Sequence, residues 1–175
     1  MSMTDELTPN DQLFYTIKEL KGWYELLELA TDSFHGNNPS RHHVGRLIST
    51  ILLAAGEDLE PIAISGALDE NGTGDLTLVY PKLILRVTGN QLKKAEGTFG
   101  LSLWQIADAT DLAIEARHNY FDGTHTHPRS RGIQVRFTVG SEQVTLCGTN
   151  SYYRTSPALQ DEAFYAAFLA LREAH

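Results

Sequence analysis

Cysteine is almost missing. Cys147 stands alone among 175 residues, which excludes an internal disulfide, a zinc ribbon and a dithiol redox pair, each of which needs at least two thiols. A reducing compartment, and with it a cytoplasmic protein, is the expectation. Basic residues are also scarce, 14 against 22 acidic, for a formal charge of −8. Polyanions are bound by neutralising them, so this balance opposes nucleic acid and stable attachment to an anionic membrane. No apolar run approaches the roughly 20 residues that cross a bilayer. The polar, acidic start from Met1 to Asn10 lacks the basic and then apolar order of a signal peptide. There is no internal repeat and no low-complexity tract.

Motifs that carry chemistry are equally sparse. Gly97-Thr98-Phe99-Gly100 has neither the lysine nor the strand-to-helix setting of a phosphate-binding loop, and no Gly-x-Ser-x-Gly elbow exists. The acidic clusters Glu57, Asp58, Glu60 and Asp69, Glu70, Asp75 lack the alternating oxygen register of a calcium loop and read as solubilising turns. No cofactor is expected.

What is present is a core. Hydrophobic residues make up 42% of the chain, enough for one domain of this length. Three segments open with a capping side chain and then proline: Thr8-Pro9, Asn38-Pro39 and Ser156-Pro157. Proline at the first helical position loses no hydrogen bond, so each pair predicts a helix start. Leu13, Ile17, Leu20, Tyr24 and Leu27 form one stripe on a helix ending near Ala30, and Val44, Leu47, Ile48, Ile51 and Leu52 form a second before Gly56. Residues 1–58 therefore read as a helical pair packed on the same domain, and residues 59–175 as a sheet core with a closing helix.

From about Glu60 the apolar period changes to two, as expected of strands. Ile62 and Ile64, then Leu76, Leu78 and Tyr80, flank a turn from Asp69 to Gly74, and Pro81 marks a break before Leu83, Leu85 and Val87. Leu101 and Leu103 suggest a further strand. Leu112, Ile114 and Ala116 suggest another, with Asp111, Glu115 and Arg117 opposite. Gly140-Ser141 separates two alternating runs, a hairpin that sets Phe137 against Val144, Val135 against Leu146 and Arg136 against Thr145. Phe164, Phe168 and Leu171 stripe the last helix, so Phe137, Val144, Phe164 and Phe168 are expected in one core.

About seven strands followed by one amphipathic helix resembles the small bacterial pleckstrin-homology-like domains. The features that carry it are a strand pair ending near Gly89, Gly100-Leu101-Ser102-Leu103-Trp104-Gln105-Ile106 leading into Leu112 to Arg117, the hairpin at Gly140-Ser141, and the helix holding Phe164 and Phe168. The likeness covers roughly residues 59–175. It implies an α+β fold, an antiparallel β-sandwich or partly open barrel capped by a C-terminal helix. It also implies a non-catalytic scaffold for lipid, peptide or protein contacts. Members that hold phosphoinositides use basic residues in the loop between the first two strands, where this chain has Asp69, Glu70 and Asp75. A protein partner, or self-association as a homodimer, is the expected use.

Tyr152-Tyr153-Arg154 in a loop is a candidate contact surface, with Arg129 and Arg131 as added cations. The alternative is a metal-binding protein or small metal-dependent enzyme. His125 and His127 form a His-x-His pair that one loop can aim at one ion, with His118 or Asp122 as a third ligand, although zinc needs three or four convergent donors. A third reading is a β-barrel that holds a small apolar ligand. His42 and His43 lie between Arg41 and Arg46 on a helix, where adjacent positions point about 100° apart, so one is expected in solvent and the other in packing. With Arg129 and Arg131 they would form a basic spot. Cys147 on a strand reads as packing rather than as a nucleophile.

Overall fold

A computed structural model describes residues 7–31, 38–117, 132–148 and 157–175. Among them are four helices and two antiparallel sheets, one of four strands and one of three. Thr8 caps α1 (Pro9–Lys18): its hydroxyl accepts the Asp11 N–H at 3.3 Å, while the Asp11 carboxylate accepts the Thr8 N–H at 3.3 Å. Two otherwise orphaned amides are satisfied reciprocally. Asn38 caps α3 (Pro39–Ala55) by accepting the Ser40 N–H at 2.9 Å.

The first apolar stripe predicts one helix to about Ala30, and the structure differs. α1 stops at Lys18 and α2 (Trp23–Thr31) starts after Gly22, whose φ of +78° is left-handed. The cause is tertiary. The Lys21 carbonyl accepts the Leu68 N–H at 3.0 Å, and a Cβ on Gly22 would stand 2.1 Å from the Leu68 carbonyl oxygen. The break lets the chain touch the end of a strand and turns Trp23 fully inward, with its indole N–H donating to the Asp75 carbonyl at 3.2 Å.

The first sheet runs β1 (Ala63–Leu68), β2 (Gly74–Val79), β3 (Leu83–Asn90), β4 (Thr98–Gln105) in sequence order. Pro81 lies in the tight connection between β2 and β3, which the Tyr80 N–H closes on the Leu83 carbonyl at 2.8 Å. The second sheet holds β5 (Thr110–Ala116), β6 (Ile133–Val139) and β7 (Glu142–Leu146). Its hairpin has the expected register, with Phe137 opposite Val144, Val135 opposite Leu146 and Arg136 opposite Thr145. Gly140 at φ +59° supplies the turn, as a two-residue hairpin with glycine first requires. β5 departs from its expected alternation. A register shift between Thr110 and Ala113, with Asp111 at φ +53°, leaves Leu112 half-buried and Ile114 40% exposed.

Both faces of the first sheet are covered. On one, Leu76, Leu78, Leu85 and Val87 meet Leu26, Leu27, Leu47 and Ile51 of the helices. On the other, Val79 and Ile84 join Val135, Phe137, Val139 and Leu146 of the second sheet, beneath Phe164 and Leu171 of α4 (Pro157–Glu173). Phe137, Val144 and Phe164 share that core as expected, and Phe168 packs half-buried at its edge. The two sheets are not closed into a barrel. The space between them is filled by side chains, so the fold is the sandwich form of the expectation.

Side chains, rather than strand pairing, fasten the sheets to each other. The Ser65 hydroxyl of β1 donates to the Cys147 carbonyl at 3.0 Å and accepts the Cys147 N–H at 3.1 Å, just past β7. Arg86 of β3 spans Asp75 at 2.9 Å and Glu142 at 2.6 Å. Buried Asp161 of α4 accepts the N–H groups of Gly132 at 3.2 Å and Ile133 at 2.9 Å, which anchors the helix to the start of β6. Among the described residues no helix is long and apolar enough to cross a membrane.

Candidate functional site

Most of the site residues expected from local sequence lie outside the described residues. Tyr152, Tyr153, Arg154, Arg129 and Arg131 of the contact-surface reading lie outside the described residues, as do His118, Asp122, His125 and His127 of the metal reading. Among the described residues no group of three or more His, Cys, Asp or Glu is placed to hold a metal ion. The α3 histidines divide as expected. His42 is exposed, while His43 is buried with its Nε2 at 3.0 Å from the Lys94 carbonyl oxygen. That contact draws the loop between β3 and β4 against α3, where Arg46 lies over the Phe99 ring at 5.8 Å. Cys147 is half-buried beyond β7, with its backbone held by Ser65.

A concave apolar feature forms at the start of β1. β1 is an edge strand of its sheet. At Ser65 it is tied to the end of β7, and its opening residues Ala63 and Ile64 line the hollow. α1 flanks it on one side and the first half of α4 on the other. The resulting groove, of about 170 Å³, is walled by Leu13, Leu20, Ile62, Ala63 and Phe164. Leu13, Leu20, Ala63 and Phe164 are buried, whereas the rim residues Leu59 and Leu159 are 47% and 54% exposed. Scattered exposed leucines are ordinary on soluble proteins. Two on the rim of one apolar hollow are a different matter, because they extend a wall that already exists.

Local structure explains why the rim is presented. α3 ends at Ala55, and the chain turns immediately, with the Leu59 N–H donating to the Gly56 carbonyl at 3.1 Å. Leu59 is thereby held out ahead of Pro61, which begins the approach to β1 and has no N–H of its own to satisfy. Leu159 stands on the first turn of α4, off the Phe164 and Phe168 stripe that the sheet buries. Glu60, read from sequence as part of a solubilising turn, also lines the groove, with Glu19 on the α1 side. A leucine and a proline bracketing an acidic residue at the switch from helix to strand were the local signal. The α4 wall had none.

Among the described residues the one clear titration effect lies away from the groove. Tyr80, 1% exposed at the end of β2, has its phenol pushed up to about 12 by burial. It belongs to the core under the helices.

Comparison of the chain with family models, curated proteins and solved structures finds no match.

Proposed function

We propose that the chain is a non-catalytic protein-interaction module on a pleckstrin-homology-like core, and that the groove between α1, residues 59–64 and α4 is its docking site. The observation that carries the reading is the pair of exposed leucines, Leu59 and Leu159, on the rim of a hollow of about 170 Å³. That volume is small against the roughly 300–1,000 Å³ of small-molecule pockets. It is close to the roughly 150 Å³ cavity that takes up a single benzene, so it suits one anchoring side chain of a partner. Seven strands followed by a closing helix accord with what the family resemblance implies, which supports a scaffold role. The lone cysteine and the charge of −8 fit a reducing, cytoplasmic setting away from polyanions.

The reading is tested with a Leu59→Asp, Leu159→Asp double variant, whose changes lie on exposed rims and should leave the unfolding midpoint nearly unchanged. Proteins that co-purify with the wild-type chain from its own cells should be lost from the variant. An unchanged set of co-purifying proteins would remove the groove from the proposal.

A further inference from the structure

We infer that the groove selects a partner segment in which an apolar anchor residue is flanked by lysine or arginine. The inference rests on the docking reading above and adds the chemistry of the occupant. Among the described residues that line the groove are Glu19 and Glu60, and no lysine or arginine. Exposed Glu57 and Asp58 sit in the same turn as Leu59. Glu57, Asp58 and Glu60 have no hydrogen-bond or ion-pair partner among the described residues. The cation on α1, Lys18, is engaged by Glu28 of α2 and lies over the Tyr24 ring at 5.4 Å, so it does not offset them.

Glu57, Asp58 and Glu60 fall within four consecutive residues, so a cation arriving at this turn meets several carboxylates. Exposed pairs of this kind add little affinity each, but together they steer association and reject acidic competitors. A second copy of this chain is a poor occupant, because each copy carries a charge of −8 and would bring its own acidic rim. The apolar floor supplies the anchor pocket, and the rim supplies the choice of sign.

The test is a titration of the full chain, followed by backbone amide shifts, with two synthetic helical peptides. Both carry leucines at positions i and i+4; the remaining positions are lysine in one and glutamate in the other. The lysine peptide should shift the amides of Leu13, Leu59, Glu60, Ile64 and Phe164, and should weaken steeply as salt is raised. A Glu57→Lys, Asp58→Lys, Glu60→Lys variant should bind it about tenfold more weakly, with an unchanged unfolding midpoint. Equal binding of the glutamate peptide in the groove would overturn the charge selectivity while leaving the docking reading standing. Failure of both peptides to shift groove amides, or shifts mapping elsewhere, would overturn the inference. So would concentration-dependent dimerisation abolished by the groove leucine variant, which would make a second copy the occupant.

Discussion

Ser65 is the residue on which the junction of the two sheets depends most simply. Its hydroxyl satisfies both the N–H and the carbonyl of Cys147 at 3.1 and 3.0 Å, and at 5% exposure water does not replace it easily. Ser65→Ala removes one atom and leaves two backbone groups unpaired, which should cost about 1–3 kcal/mol. Denaturant unfolding measures this, and a loss under 0.5 kcal/mol would mean that the sheets are not fastened there. Tyr80 makes a separate pH-dependent contribution. In the folded chain its phenol keeps its proton until about 12, whereas an unfolded tyrosine releases it near 10. Stability from this group is complete below pH about 10 and falls as pH rises toward 12, because the unfolded state loses the proton first. Tyr80→Phe should flatten that part of the stability curve. Equal slopes for the two proteins over this interval would contradict the burial argument.

At the scale of elements, most of the chain was legible in its sequence because the governing interactions are local. Thr8-Pro9 and Asn38-Pro39 start helices where caps and proline dictate, and the Gly140-Ser141 turn sets the register of β6 against β7 residue by residue. The α1–α2 break was not legible, since the apolar stripe from Leu13 to Leu27 continues through it unbroken. What breaks the helix is Leu68, 46 positions along the chain from Gly22, pairing with the Lys21 carbonyl. Gly22→Ala forces a side chain into left-handed backbone, about 1–3 kcal/mol by itself, and adds the clash with Leu68. The expected loss is therefore about 2–4 kcal/mol in denaturant unfolding; a neutral or stabilising change would show that residues 19–22 can be helical. The periodic reading located β5 as a strand but not its irregular burial, for a related reason. The bulge around Asp111 inserts an irregularity that alternation alone cannot register.

At the scale of the whole molecule, the groove was invisible to sequence reasoning because no single segment contains it. Residues 9–20, 59–64 and 159–164 each supply one wall, and each looks ordinary alone: a helix stripe, an acidic turn, the start of an amphipathic helix. Reading along the chain instead favours clusters of neighbouring residues, such as His125 with His127 or Tyr152 with Tyr153. Glu60 was noticeable only as part of an acidic turn and Leu59 not at all, and their meaning depends on α4 arriving beside them. That arrival is set by Asp161 on the amides of Gly132 and Ile133 and by Phe164 in the core. The groove proposed for docking is thus a consequence of how the C-terminal helix closes the sandwich.

The most direct measurement is site-specific photo-crosslinking in the protein's own cells, with a benzophenone amino acid placed in turn at Leu59, Leu159 and Leu53. Leu53 is 78% exposed on α3 and lines no part of the groove, so it reports nonspecific encounter. The expected result is a discrete adduct of the same partner at positions 59 and 159 and none at 53. Adducts of equal yield at all three positions, or an adduct at 53 alone, would contradict the account.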